Sequence, residues 1–540
     1  MYGNACIAAL TSARAAAGTI SSNRIGRSRA HPLANLVSLT TLIMIMSGCA
    51  VGPDYKIPET MLSQDYEWID IDAPGINSES ADLAQWWTVF NDPVLNSLID
   101  EAYQQNLSLR IAGLRILEAR ANLGIAIGSQ YPQTQQINAG AAAVSLSEND
   151  SNSLIGDRDF KVADATFDLG WEIDFWGRFR RAVESESALL DASIADYDDV
   201  MVALAAEVSR AYVSIRTFEE RLLLARANVV TQREALRIAD VRFENGAVTE
   251  LDVQQARAVL GNTEAAVPLL ESRLRQSGNA LSVLLGLTPQ SLSDLLKGAA
   301  PIPAAPLEAS MGVPAELLRR RPDVRRAERQ LAAQSAQIGV AITDLYPRFS
   351  LAGSVGFRTS DVGTDSGLDN LFDSENVSGF LGPFFSWNIF NYGRIKNNVR
   401  VQDARFQQLL VNYQNTVLSA LAETENAIVA YLKAHDQARS LGESVVAAQR
   451  SVEISLVQYR EGTTDFNRVL DSLDFQFQQE DAYSATVGDI ATNLITMYKA
   501  VGGGYQAGSE RDVADYVADE DKEQLRSRTK YWRKELPETE

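Results

Sequence analysis

The chain is short of the residues on which most enzyme chemistry rests. Its 540 residues hold two histidines, His31 and His435, and two cysteines, Cys6 and Cys49. A Ser-His-Asp triad or a His-based zinc site has almost nothing to be built from. Two cysteines make no disulfide framework. No metal, cofactor or catalytic residue is expected, and the chain reads as a non-enzyme. Positive charge is also in deficit: 49 Lys and Arg stand against 70 Asp and Glu, a net charge of −21. A nucleic-acid partner would call for clustered Lys and Arg, so none is expected. The acidic residues are spread along the chain, which suits a solvated surface; an acidic lumen is the alternative. Proline is absent from Arg178 to Val267 and again from Phe384 to Leu536.

Those proline-free stretches are rich in Ala, Leu, Glu, Arg and Gln, which favour helix. The first is broken at Asn245-Gly246-Ala247-Val248-Thr249, where glycine supplies a turn with positive φ. Thr249 then caps a second helix, with Asp252 in its first turn. The spacing predicts a long antiparallel helical hairpin with its tip at Gly246. Its first arm, Arg178 to Phe243, would span on the order of 100 Å. The same pattern recurs later in the chain at a constant offset. Gly462 answers Gly246, Gly393-Arg394 answers Gly177-Arg178, Trp387 answers Trp171, and Gly502 answers Gly286. Near the start of each copy the offset is shorter by one position, with Tyr346-Pro347 answering Tyr131-Pro132. One slip over so many anchors argues for duplication of a large module. In the second hairpin, Ile395, Val399, Phe406, Leu410, Tyr413, Val417, Leu421, Ile428 and Leu432 form a coiled-coil-like seam.

Residues 1–48 read as a signal peptide. Arg24, Arg27 and Arg29 precede an apolar run, Leu33 to Met46, that is short for a membrane span of about 20 residues. Met46-Ser47-Gly48-Cys49 then forms a lipobox, and Cys49 is the expected lipid anchor. An acidic linker covers 49–92, a first repeat 93–300, a second repeat 301–504, and a charged tail 505–540. The tail is expected to lie outside the main body or to be partly disordered.

Each repeat carries two segments of period two. Phe167, Leu169, Trp171, Ile173 and Phe175 alternate with Asp168, Gly170, Glu172 and Asp174. The partner segment, about Gln133 to Leu146, is Ala-rich. In the second copy, Phe349, Leu351, Val355 and Phe357 alternate with small or polar residues, and Phe385, Trp387 and Ile389 alternate with Phe384, Ser386 and Asn388. An apolar face opposite a polar one suits a transmembrane β-strand; a half-buried soluble hairpin gives the same local pattern. Four strands cannot close a membrane barrel, which needs about eight, and an open edge cannot stand in lipid. Three chains sharing one barrel would supply twelve.

Taken in order and spacing, several motifs resemble those of the TolC-like outer-membrane factors, in the OprM/NodT-type efflux lipoprotein branch. They are Cys49-Ala50-Val51-Gly52-Pro53-Asp54-Tyr55, Trp86-Trp87-Thr88-Val89-Phe90, Trp171-Glu172-Ile173-Asp174-Phe175-Trp176-Gly177-Arg178, Gly246-Ala247-Val248-Thr249-Glu250-Leu251-Asp252, Arg319-Arg320-Arg321-Pro322-Asp323-Val324 and Val501-Gly502-Gly503-Gly504. The resemblance implies a mainly α homotrimer. Its long hairpins form a periplasmic α-barrel, and four strands per chain contribute to a twelve-stranded outer-membrane β-barrel. It implies the exit duct of a tripartite, RND-type efflux system, docking a periplasmic adaptor protein and served by an inner-membrane transporter. A type I protein secretion channel is the alternative on the same fold; a lipid-anchored coiled-coil scaffold without a pore is the alternative of a different class. By the same resemblance Tyr459, Asp465, Arg468, Asp471 and Asp474 form a periplasmic gate. A ring of carboxylates would narrow the duct and favour cations. The pairing within the gate stays open; an i,i+3 pair between Arg468 and Asp471 is one arrangement. Gly246, Val248, Gly462 and Thr463 are the implied adaptor-contact tips, whereas turn closure alone accounts for the two glycines.

Overall fold

A computed structural model describes residues 50–58, 75–77, 83–147, 158–289, 292–310, 320–362, 370–506 and 511–536. The expected signal peptide and the expected lipid anchor, Cys49, lie outside the described residues. Two compact units emerge, and neither is one sequence repeat. The first takes 1–57, 119–190 and 330–410; the second takes 58–118, 191–329 and 411–540. Both copies of the repeat therefore contribute to both units.

Two short strands, β1 (Ile76–Asn77) and β4 (Ala309–Ser310), pair in parallel in the second unit. The first unit is built on one antiparallel sheet. Strands β2 (Thr134–Ser145), β3 (Asp159–Ile173), β5 (Arg348–Ser360) and β6 (Val377–Ser386) lie in the order β2-β3-β5-β6. Strand register sorts their faces. Ile137, Phe167 and Val355 share one row, and Ile173, Phe349 and Phe385 another, all on one side. Gln136, Asp168 and Ser354 share a row on the opposite side, as do Glu172 and Ser350. The alternation expected from the sequence is therefore present across three strands. β6 departs from it, because register puts Phe380 beside Ser354 and Phe384 beside Ser350 on the polar side. The strands also end sooner than the alternation predicts. β3 stops at Ile173 and β6 at Ser386, so Phe175, Trp387 and Ile389 lie beyond them. Tertiary bonds take over there. The indole N–H of Trp171 donates to the Gln130 carbonyl at 3.1 Å, and that of Trp387 donates to the Leu345 carbonyl at 3.1 Å. The two tryptophans are duplicates holding duplicate corners.

The helices repeat with the same fidelity. α1 (Pro93–Gln105) starts at Asp92, whose carboxylate accepts from the Val94 and Leu95 amides, as an N-cap should. α2 (Leu107–Gly128) and α5 (Pro322–Thr343) each have 22 residues. α3 (Arg178–Glu244) and α6 (Arg394–Arg460) each have 67, and α4 (Glu250–Leu284) and α7 (Phe466–Ala500) each have 35. α4 runs on through Pro268, where the proline-free stretch of the sequence ends. A proline removes one helix hydrogen bond. Burial of Leu270 and Leu281 beyond it offsets that loss. Every residue of the predicted seam on α6 is buried or half-buried.

The second unit holds the main core. Trp86 stacks on Tyr498 with centroids 5.4 Å apart, among Leu95, Leu98, Tyr212, Ile428 and Tyr431. Two buried arginines tie its segments together. Arg216 donates to the Leu296 and Gly298 carbonyls, both at 2.7 Å, and pairs with Glu219. Arg321, from the Arg319–Val324 motif, donates to the Ala500 carbonyl at 2.6 Å and pairs with Asp323 and Glu423. It thereby ties down the C-terminal end of α7.

The charged tail is not loose, contrary to the expectation. Residues 511–536 include α8 (Asp519–Arg528) and dock on α2. Arg110 makes a two-pronged bond to Asp521 at 2.9 and 2.8 Å, and Val517 and Leu536 are buried with Leu117. Gly113 leaves room for the Tyr516 backbone where any Cβ would collide. Composition hid this, because a few apolar residues anchor a segment that is otherwise charged.

Candidate functional site

The two hairpin tips lie in the second unit. Each first arm ends in the same way. The Gly246 amide donates to Phe243 and the Ala247 amide to Arg242; at the equivalent places of the second copy, Gly462 donates to Tyr459 and Thr463 to Gln458. These paired bonds satisfy the last carbonyls of a helix when the following residue is left-handed. Gly246 and Gly462 have φ of 71° and 73°, and nothing stands within 4 Å of a Cβ built on either. The turns therefore need glycine for its φ and leave open space around it. Val248 is half-buried, and Thr463 is exposed with its hydroxyl donating to the Gln458 carbonyl.

The second arms begin differently. At the first tip the Thr249 amide donates to the Asp252 carboxylate at 2.9 Å. At the second, Asp465 is the N-cap and accepts from the Arg468 amide at 3.2 Å. Asp465 is thus a capping residue as well as an exposed carboxylate.

The predicted gate residues fall into three environments. Asp465, Arg468 and Asp471 are exposed and line one groove with Ser451, Asn467, Ser472 and Phe475. Asp474 is half-buried and accepts from the Gln478 side-chain Nε2 at 2.7 Å. Tyr459 is elsewhere: only 2 % exposed, it sits in an apolar cluster with Phe466, Val469, Leu470 and Leu473. Its ring meets Phe466 at 4.9 Å. The i,i+3 pair between Arg468 and Asp471 is not formed among the described residues. Two exposed charges at that spacing attract by only about 0.2–0.5 kcal/mol, too little to fix a long side chain against water.

One residue at this site escapes a reading of the sequence. The Arg242 guanidinium lies 4.3 Å above the centre of the Tyr459 ring, and it donates to the Arg460 carbonyl at 3.3 Å. This cation-π contact joins the two hairpins at their tips, and contacts of this kind contribute about 0.5–2 kcal/mol. Taken alone, Arg242 in the last turn of α3 is an ordinary basic C-terminal residue. The buried Tyr459 is the missing half of the signal. Among the described residues no group of His, Cys, Asp or Glu is placed to hold a metal.

Comparison with known proteins agrees with this geometry. Residues 98–287 and 313–503 each match the outer membrane efflux protein family. The two matches fall on the two copies of the repeat. Nodulation protein T of Rhizobium leguminosarum bv. trifolii is 29% identical over 468 residues, covering 86% of this chain and 96% of its own length. The pyoverdine export outer membrane protein OpmQ of Pseudomonas putida is 30% identical over 448 residues, covering 81% and 92%. Among solved structures, the outer-membrane channel OprN superposes with a TM-score of 0.77 at 32% identity, covering 85% of this chain and all of that one.

Proposed function

This chain belongs to the outer membrane efflux protein family, and we propose that three copies close the exit duct that membership implies. It is an outer-membrane channel for tripartite efflux. The observation that carries the trimer is the sheet: four strands, an apolar face, a face that is polar apart from Phe380 and Phe384 of β6, and two open edges at β2 and β6. In lipid those edges must pair, and pairing β6 of one copy with β2 of the next closes twelve strands with the polar side inward. Cys49 anchors the chain to the membrane through lipid. The helical hairpins continue the passage below it. No reaction is catalysed.

Two further assignments rest on the tips. Asp465, Arg468, Asp471 and Asp474 form the periplasmic gate, where threefold repetition makes a charged ring. Tyr459 serves it from within, clamped by Arg242, and keeps the two hairpins of one chain together. Gly246, Val248, Gly462 and Thr463 contact the adaptor, because these turns are exposed or half-buried and the space around the glycines is open. The adaptor joins the duct to a proton-driven, RND-type inner-membrane transporter.

The test is reconstitution of the detergent-purified protein. A trimer by native mass that conducts in planar bilayers is expected; a monomer with no conductance would remove the duct. For the tips, photo-crosslinkers at Val248 and Thr463 should capture the adaptor in cells. Absence of adduct from both sites sinks that assignment and leaves the channel standing.

A further inference from the structure

The two copies of the repeat line the polar side of the sheet differently. The step that takes Gly246 to Gly462 also takes Asp164 to Phe380 and Asp168 to Phe384. Each phenylalanine on β6 is thus the duplicate of a carboxylate on β3. Both rings are exposed, Phe380 by 58 % and Phe384 by 50 %. Their centroids lie 6.3 Å apart with the planes at 77°. Four residues along a strand span about 13 Å, so the two side chains lean toward each other along the face. Gly382 stands between them on that face, and nothing lies within 4 Å of a Cβ built there. The result is an aromatic pair beside open space, in a row where the first copy carries acid.

Negative charge flanks the pair within the same chain. Register puts Phe380 in one row with Ser354 and Asp168, and Phe384 in one row with Ser350 and Glu172. Neighbouring strands are about 4.8 Å apart. Each acidic residue therefore stands about 10 Å from the phenylalanine of its row, with only a serine between them. Asp168 and Glu172 are half-buried, and the Asp168 carboxylate is held by the side-chain Nδ2 of Asn138 at 2.5 Å. The face thus offers an apolar surface and a fixed negative charge at a set separation, across a floor of small side chains.

We infer that this face is a binding site for amphipathic organic cations, whose aryl or alkyl body lies against Phe380 and Phe384 while the positive charge reaches Asp168 or Glu172. The aromatic faces attract a cation as well as an apolar body. The carboxylates favour a cation and repel an anion of the same shape. An inorganic cation finds the charge but gains nothing from the rings. Because the rings stay half exposed, the hold is weak, as a site on a path of passage must be if its occupant is to leave. Closing three copies with the polar side inward brings three such sites into one ring. The site therefore rests on the duct proposed above, and it names a class of molecule that the duct favours.

Channel block by matched ions tests it. Tetraphenylphosphonium and tetraphenylborate carry the same phenyl groups with opposite charge, and tetramethylammonium carries the charge without the rings. With the purified protein in a planar bilayer, tetraphenylphosphonium should interrupt the single-channel current in brief, concentration-dependent steps. The other two ions should need roughly tenfold higher concentrations for the same block. Phe380→Ser with Phe384→Ser, and separately Asp168→Asn with Glu172→Gln, should each raise the half-blocking concentration of tetraphenylphosphonium by roughly tenfold. Native mass on the same samples reports whether each variant still assembles. Equal block of the wild-type channel by the two tetraphenyl ions, or by tetramethylammonium, overturns the site whether or not the variants fold. Unchanged block in either assembled variant overturns it too. A wild-type channel that conducts and is not blocked defeats this inference alone; a wild-type protein that does not conduct defeats the duct itself.

Discussion

Phe243 and Tyr459 occupy equivalent places, just before the turn glycine of each hairpin, yet Phe243 is 44 % exposed and Tyr459 2 %. Their backbones match bond for bond. What differs is the neighbour. Tyr459 lies under Arg242 of the first hairpin, while Phe243 has no such cover within the chain. Two copies of one local structure thus acquire different energetics from their position in the row, not from their own sequence.

The comparison is broken most directly by truncating both rings. Tyr459→Ala should cost about 3–5 kcal/mol, the range for a buried aromatic, read as faster amide exchange across both tips. Phe243→Ala should cost far less in the detergent-dissociated chain and should gain weight only on assembly. Equal losses in the dissociated chain would show that the two tips are not distinguished by burial.

A second pair lies on the other arms of the hairpins, α7 and α4. Gly488 and Ser272 are equivalent, but only Gly488 is pressed against a neighbour, Thr217. Gly488→Val should therefore cost about 1–3 kcal/mol by overpacking. Ser272→Val, on an exposed position of α4, should stay within about 0.5 kcal/mol in the dissociated chain. Thermal melts of the two variants check the difference.

Sequence alone carried the duplication, the hairpins and their caps, because glycine at a left-handed turn and apolar period are local signals. Gly246 and Gly462 are legible as turn residues without any tertiary neighbour. The fate of the equivalent side chains could not be read the same way. Nothing near Tyr459 says that Arg242, far earlier in the chain, covers it. Pro268 makes a related point: inside α4 it removes one helix hydrogen bond, and the burial of Leu270 and Leu281 beyond it carries the helix on. The tail misled through composition, since Val517 and Leu536 are few but well placed. In β6 the alternation was legible, but only register shows that Phe380 and Phe384 fall on the polar side.

The last contrast between the two copies depends on pH. Asp198 on α3 is buried, and burial pushes its carboxyl up to about 6 despite Arg325 at 3.3 Å. Its counterpart in the second copy is Gln414, which does not titrate. A carboxyl whose folded pKa is raised binds its proton more tightly folded than unfolded, so the sign is the reverse of an ordinary ion pair. Its contribution is most favourable below the unfolded value near 3.8, declines as pH rises to about 6, and is flat above. Amide protection in α3 around Asp198, corrected for intrinsic exchange, should fall across that window. Protection in α6 around Gln414 should show no such step. Asp198→Asn should erase the difference between the copies, and a step that survives the substitution would assign the titration to another group.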